Sequence, residues 1–403
     1  LLVKRIFFCI FTLFAFIMAV TPAVAREGMN LEWEKYFGSP KIDMAYAACQ
    51  TSDGGYIVTG KSLPANNSEA SYYNAALLKL DSLGLLQWQK IYGGAGDDCG
   101  SAVLQTSDGG YLIAGETPKP YSVLANTDVY LVKTDASGNK LWERNYGGDN
   151  DDTAACISKT REGDYVITGE TGSPENGNVD VYLIKINKDG NKIWERAFGG
   201  PDTDSGAWVS QTGDGGYIVA GKTFSAAGGY NAYLLKTDPE GNKLWEKNYG
   251  GPGWDTAGMV EQTSDGGFIV TGQTSSFSNG NFDLYLLKTD QLGNKLWERN
   301  LVINDWSTGK WVRQTPEGEY LAAGWSTSAN SPNPSFLLVR ISAGGEKLKE
   351  YTLENRKFNE NFPVRQTADG GFIIAGWWAD TLKSSETSND DFQYYLAKLA
   401  AKN

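Results

Sequence analysis

The chain has 403 residues, with 36 basic and 48 acidic side chains, no histidine and a formal charge of −12 at pH 7. That balance excludes nucleic acid and anionic membrane surfaces as partners, because both demand clustered Lys and Arg. The lack of histidine removes the commonest general base and the commonest metal ligand together, and with them any Ser–His–Asp triad.

The first predicted element stands outside the fold. Lys4 and Arg5 precede an apolar run of 15 residues, Ile6–Val20, and Ala23-Val24-Ala25 offers a small-x-small cleavage site. Residues 1–25 therefore read as a secretory signal peptide, with a retained N-terminal anchor as the alternative. Cys9 lies inside the apolar run without small residues before it, so it is not a lipoprotein site. The expected product is a single domain over 26–403, secreted, periplasmic or at the cell surface, with no membrane insertion of the mature chain. Its acidity keeps an exported protein soluble. The three cysteines left, Cys49, Cys99 and Cys156, are too few and too odd in number for a disulfide framework. Buried free thiols are expected.

The next stretch, LEWEKYFG at 31–38, resembles strings that close longer units downstream, such as NKLWERNYGG at 139–148 and NKLWEKNYGG at 242–251. Here no unit precedes it. Seven copies of one pattern then fill the chain. QTSDGGYIVTG (50–60) returns as QTSDGGYLIAG (105–115), KTREGDYVITG (159–169), QTGDGGYIVAG (211–221), QTSDGGFIVTG (262–272), QTPEGEYLAAG (314–324) and QTADGGFIIAG (366–376), at a period of 51–55 residues. Such self-similarity is the signature of repeat architectures. Asp-Gly or Glu-Gly supplies a tight hairpin turn, and the flanking runs rich in Val, Ile, Tyr and Thr read as strands. A second hairpin follows, as in YLVKTDASGNKLWERNY (130–146). Each unit is thus four antiparallel strands, A to D.

Spacing defines the connections. From the strand D Trp to the next motif is always 17 residues, and from the strand C base (Lys79, Lys133, Lys185, Lys236, Lys288, Arg340) to the strand D position always 9. Only the link between strands B and C varies, with 15 to 22 residues from motif Gly to strand C base. Units of this kind bury their faces by stacking, and a radial stack of seven closes a ring. The chain ends on a strand C, DFQYYLAKLAAKN (391–403), with no strand D after it. Residues 31–38 supply that strand. The expected fold is all-β: a seven-bladed β-propeller, four antiparallel strands per blade, closed by the N-terminal strand pairing with the last blade. A monomer is expected.

The strand C–D segments resemble the tryptophan-docking repeat of quinoprotein-type propellers, in which each Trp packs on the neighbouring blade. Asp135, Gly138 and Trp142 match in kind, as do Asp238, Gly241 and Trp245, with Gly one place early; blade six carries Lys349 where Trp is expected, which implies a weaker seam there. The chain is also similar to secreted bacterial and archaeal proteins built of "DGGY…GN-LW" repeats. The quinoprotein resemblance implies a calcium-bound quinone only where acidic and amide ligands and, in many members, adjacent cysteines are present. No adjacent cysteines occur here, and no cofactor is expected. The noncatalytic propeller lipoprotein of outer-membrane assembly is a closer functional analogue.

One repeat position and a set of tryptophans stand out as candidate sites. Asp43, Asp98, Asp152, Asp204 and Asp255, with Ser307 and Asn359, share one position where a loop enters strand A. Short acceptors there bond backbone N–H groups and shape the turn; the paired acids Asp97–Asp98 and Asp151–Asp152 would also suit a local calcium ion. Six tryptophans are docking residues. The other seven, Trp208, Trp254, Trp306, Trp311, Trp325, Trp377 and Trp378, all fall in blades four to seven. The topology sends them toward the end that carries the variable loops, with Trp208 and Trp311 closest to the core. Clustered Trp beside polar groups holds sugar rings or protein hot spots, and Lys310, Arg313 and Arg365 lie nearby for an acidic or hydroxylated ligand. The reading is an exported, noncatalytic module that binds a ligand or an extracellular glycan or protein partner at that end. The alternatives are a carbohydrate-binding or carbohydrate-active propeller using Asp, Glu, Tyr or Arg and a structural cell-surface module.

Overall fold

The structure is a computed structural model that describes residues 29–38, 41–63, 72–94, 96–119, 126–172, 178–225, 228–278, 280–328, 331–354, 362–379 and 392–401. The signal-peptide assignment and Asn359 lie outside these residues. Every element among them is a strand, β1 to β28 in chain order, and the strands form seven four-stranded antiparallel sheets. The architecture is a seven-bladed β-propeller. Six blades are consecutive in sequence. The seventh has the order β1 (Met29–Phe37), β28 (Phe392–Ala401), β27 (Phe372–Ala379), β26 (Val364–Gln366). The N-terminal strand is therefore the outer strand of the last blade, as expected, paired from Met29↔Ala401 to Phe37↔Tyr394 with a bulge near Trp33. It begins two residues before the stretch read from sequence and ends one before it.

The motif residues have local work. In the first A–B turn Asp53 accepts from the Thr51 hydroxyl (2.5 Å) and the Gly55 N–H (3.0 Å), and the buried strand C base Lys79 reaches its other oxygen at 2.9 Å. A Cβ on Gly55 would lie 2.6 Å from the Lys79 ammonium and 2.2 Å from a backbone oxygen, so this turn is closed over its glycine; blades three and six carry Asp164 and Glu319 at the same position. The same pair recurs as Lys133–Asp108, Lys236–Asp214, Lys288–Asp265 and Lys398–Asp369. Burial alone would raise the Asp53 carboxyl; the Thr51 hydroxyl, Lys79 and the Gly55 N–H outweigh it and hold it down at about 2. Asp108, Asp214 and Asp265 are held at about 2 by equivalent groups. A carboxyl depressed on folding stabilises above its unfolded value of ~4 and loses that contribution as pH falls toward its folded value. The urea midpoint should thus drop between about pH 4 and pH 2, and Asp214→Asn should shrink the drop; an equal drop in the variant would dissociate it from these turns.

Blades meet through two repeated contacts. Each docking Trp lies against the C–D turn glycine of the next blade: a Cβ on Gly138 would come 2.7 Å from Trp88, and one on Gly84 2.9 Å from Trp33. Both glycines hold positive φ, so the tight turn and the ring require the same residue. The Trp ring also meets the aromatic residue of the next blade's motif edge-on or tilted, as in Trp33–Tyr56 at 5.4 Å and Trp88–Tyr111 at 5.8 Å. The second contact is the motif Gln, which accepts from the A–B turn of the preceding blade: Ser52 N–H to Gln105 at 2.7 Å, Ser264 N–H to Gln314 at 2.8 Å and, across the ring closure, Ala368 N–H to Gln50 at 2.8 Å.

The seam after blade six follows other rules. Its exposed Lys349 has no C–D turn to face, because strands C and D of blade seven come from opposite ends of the chain. The motif aromatic Phe372 is met instead from strand A by Trp311, edge-on at 5.1 Å, and by Phe336 at 5.6 Å. The missing outer ring is thus replaced by inner ones, and the seam belongs to a large apolar cluster running from blade five to blade seven. The expectation of a weaker seam took account only of the outer ring.

Candidate binding site

The innermost strands surround a central channel. Six of them, β2 (Asp43–Gln50), β6 (Cys99–Gln105), β10 (Asp152–Lys159), β14 (Asp204–Gln211), β18 (Asp255–Gln262) and β22 (Trp306–Gln314), carry a β-bulge at one repeat position. A bulge inserts a residue that escapes the alternation of the strand and re-aims its side chain. The bulge residues are Tyr46, Ser101, Ala155, Ala207, Gly258 and Lys310, and all six line one cavity of about 240 Å³. Small residues keep the channel open, and Lys310 puts an ammonium into it. Blade seven, whose described inner strand begins at Val364 just after Pro363, adds Arg365 to the lining; Trp208 completes it. The Arg365 guanidinium lies 4.4 Å from the centre of the Trp208 ring, within cation–π range. Trp208 is half-buried, and its indole N–H donates to the Ser210 hydroxyl at 2.9 Å. Burial pulls the Lys310 ammonium down to about 8.

Tyr46, Ser101 and Ala155 also line a larger pocket of about 650 Å³ over blades one to three, so the two spaces adjoin. Its other walls include Lys61, Tyr73, Asp97 and Glu116. They come from the D–A loops and from the ends of strands B and C, which places the pocket at the variable-loop end. The Lys61 ammonium sits 4.4 Å above the Tyr73 ring and 5.8 Å from that of Tyr46. Burial raises the Glu116 carboxyl, and Lys61 only partly offsets it. Burial likewise pushes the Cys99 thiol up to about 12, which leaves it inert. Cys49, Cys99 and Cys156 are all free, Cys49 half-buried and the other two buried.

The tryptophans do not form one face. Trp254 is 50% exposed and edge-on to Tyr230; Trp306 is 37% exposed and stacked on Phe282. Trp377 is edge-on to Phe392 and Trp378 to Tyr36, both half-buried. Trp311 and Trp325 are 2% exposed and lie in the core. Arg313 is outside the channel cavity: it pairs with Glu261 at 3.3 Å, donates to Gln366 at 3.1 Å and lines a separate 420 Å³ cavity beside Pro316 of the A–B turn. The structure therefore brings together Trp208, Lys310 and Arg365 and separates them from the rest. Sequence reasoning missed Tyr46, Lys61, Tyr73 and Glu116. Lys61 and Glu116 follow the motif glycine, as Trp325 and Trp377 do; comparing the charge as well as the size of that position across the copies would have found them.

The carboxylate ring is structural. Asp98, Asp152, Asp204 and Asp255 each accept from a loop glycine N–H at 2.8 Å, and each is at most 4% exposed. Asp97 and Asp151 accept from the Tyr73 and Thr127 N–H groups, both at 2.8 Å, and the Lys119 ammonium lies 3.8 Å from Asp152. Among the described residues no three Asp, Glu or Cys side chains gather as a metal site.

Fold and channel define the class: a seven-bladed propeller with a cavity at its axis and a wider pocket at one mouth. No protein-family model matches the chain. It is similar to the regulatory protein FlaEY of Caulobacter vibrioides, 27% identical over 155 residues, which make up 33% of this chain and 16% of that protein. The chain therefore spans only a small part of that relative's length. Among solved structures, a protein of unknown function from Dyadobacter fermentans superposes with a TM-score of 0.52 at 9% identity, covering 93% of this chain and 100% of that one. Sqt1 from Chaetomium thermophilum does so with a TM-score of 0.50 at 9% identity and the same coverage. These likenesses establish the fold alone.

Proposed function

We propose that this chain is an exported, noncatalytic binding module that takes up a ligand or partner through the variable-loop end of the ring. The observation that carries the reading is the 650 Å³ pocket on blades one to three, which adjoins the channel and presents tyrosine rings beside one lysine and three acids. Concave sites with a few convergent polar groups are the usual form of a small-ligand site. The exposed rings of Trp254 and Trp306 extend the same end on the other side of the ring. Calorimetric titration against neutral and acidic oligosaccharides tests the proposal. A ligand found this way should lose about tenfold in affinity in Tyr73→Ala or in Lys61→Glu, with the melting temperature preserved. Binding unaffected by these changes and by Trp254→Ala would place the site elsewhere.

The carbohydrate-active reading has one observation in its favour: Asp97 and Glu116 share that pocket, and burial raises Glu116, as a general acid requires. Release of reducing ends from a polysaccharide panel, abolished by Glu116→Gln, would establish it; binding without turnover excludes it.

A further inference from the structure

The charges that recur in the repeat are paired. Strand C lysines meet the turn acids, and on five outer strands a lysine meets the glutamate three residues on. The pocket of about 650 Å³ over blades one to three departs from this. Its charged walls are Lys61, Asp97, Asp98 and Glu116. Two of the acids are engaged by the backbone: Asp97 accepts from the Tyr73 N–H and Asp98 from the Gly94 N–H, both at 2.8 Å. Lys61 and Glu116 remain. They follow the motif glycines of neighbouring blades, Lys61 in β3 (Tyr56–Ser62) and Glu116 in β7 (Tyr111–Pro118), and both line the one pocket. They lie close enough for Lys61 to lower the Glu116 carboxyl, yet they do not pair. Among the described residues neither side chain forms an ion pair or a hydrogen bond with any other group. The Lys61 ammonium rests on the Tyr73 ring instead. Glu116 is half-buried, and Asp151 and Glu170 add their repulsion to the effect of burial. A cation brought to Glu116 and an anion brought to Lys61 would each relieve an uncompensated charge.

The geometry points to a site for an α-amino acid with an apolar side chain, its carboxylate on the Lys61 ammonium and its ammonium on the Glu116 carboxylate. A zwitterion satisfies both groups at once through charge-assisted hydrogen bonds. A simple anion would answer Lys61 and leave Glu116 as it is, and a simple amine would do the reverse. The remaining walls suit an apolar body. The Tyr46 hydroxyl is already donated to the Met44 sulfur at 3.3 Å, so Tyr46 offers its ring to a ligand, and Ala154 and Ala155 add methyl groups beside it. The volume lies within the ~300–1,000 Å³ of small-ligand sites. This proposal deepens the binding-module reading of the same pocket and rests on it: it names the class of ligand.

The test is a calorimetric titration of the purified protein with L-phenylalanine, N-acetyl-L-phenylalanine and L-phenylalaninamide. Phenylalanine should bind saturably at one site. The acetylated form lacks the ammonium and the amide lacks the carboxylate, so each should bind at least about tenfold more weakly. The variants should respond selectively. Glu116→Gln should weaken phenylalanine by about tenfold and leave the acetylated form within about twofold; Lys61→Gln should weaken phenylalanine equally and leave the amide within about twofold. A merely structural role for either residue would weaken all three ligands together. Should a variant fail to fold, the three ligands on the native protein still decide. No saturable phenylalanine binding, equal affinity for the blocked forms, or a uniform loss or no loss in the variants would overturn the site. The broader reading fails separately. An oligosaccharide that binds and is lost in Tyr73→Ala, where phenylalanine does not bind, overturns the amino-acid assignment and leaves the binding module standing.

Discussion

A chain lacking residues 29–38 should not fold cooperatively. Those residues contribute Met29 and Tyr36 to the large apolar cluster of blades five to seven, and Trp33 and Phe37 to the cluster that joins blade seven to blade one. Removing them strips the outer edge of β28, exposes its backbone donors and acceptors, and takes away the ring against which Gly84 is packed. An unpaired edge of this kind also templates association between chains. The expected result is loss of the urea-unfolding transition together with aggregation. A circular permutant that links residue 401 to residue 29 and opens the chain within 173–177, between strands B and C of blade three, should fold with near-native stability. Such a permutant keeps every pairing and moves the break to a connection of variable length. Cooperative unfolding of the truncated chain at the native midpoint would show that ring closure contributes little.

The residues at the blade seams should show a sharply uneven response to truncation. Trp245→Ala removes a half-buried ring that meets Phe268 at 5.9 Å and packs on Gly293. The expected cost is about 2–4 kcal/mol, somewhat below the ~3–5 kcal/mol of a fully enclosed Trp. Trp311→Ala, at 2% exposure in the blade six–seven seam, should cost the full ~3–5 kcal/mol. Lys349→Ala, at the docking position of blade six, should be close to neutral, because that side chain faces no turn and lies over the Tyr351 ring at 4.8 Å in an exposed site. Urea denaturation of the three variants measures these differences. Equal costs at Trp245 and Lys349 would contradict the account of the seams.

The parts of this fold that could be read from sequence are those that repeat locally. Thr51, Asp53 and Gly55 act within one turn, Lys79 reaches the same turn from strand C, and the fixed spacings between them follow from hairpin geometry. Ring closure was legible for a different reason: a strand D without its unit at one end and a unit without its strand D at the other have one economical solution. The channel was harder. Lys310 was identified as a useful charge, but its aim into the axis depends on a bulge, and a single bulge reverses the two-residue alternation on which strand reading relies. Arg313 and Arg365 share a repeat position, and only the neighbouring blades decide that one is neutralised by Glu261 while the other faces the cavity. The tryptophans illustrate the same limit. Trp325 and Trp377 are equivalent in the repeat, yet Trp325 lies in the core and Trp377 is half-buried against Phe392. Position in a repeat specifies the strand and the height along it; the packing of neighbours decides exposure.

Hydrogen exchange of the β1 amides tests the architecture most directly. If β1 is the outer strand of blade seven, the inward-bonded amides among Glu34, Lys35, Tyr36 and Phe37 exchange only through global unfolding, at the rate of their partners Tyr394 to Ala397. Free exchange throughout 29–37, alongside protected amides in β27 and β28, would mean that the ends of the chain do not share a sheet.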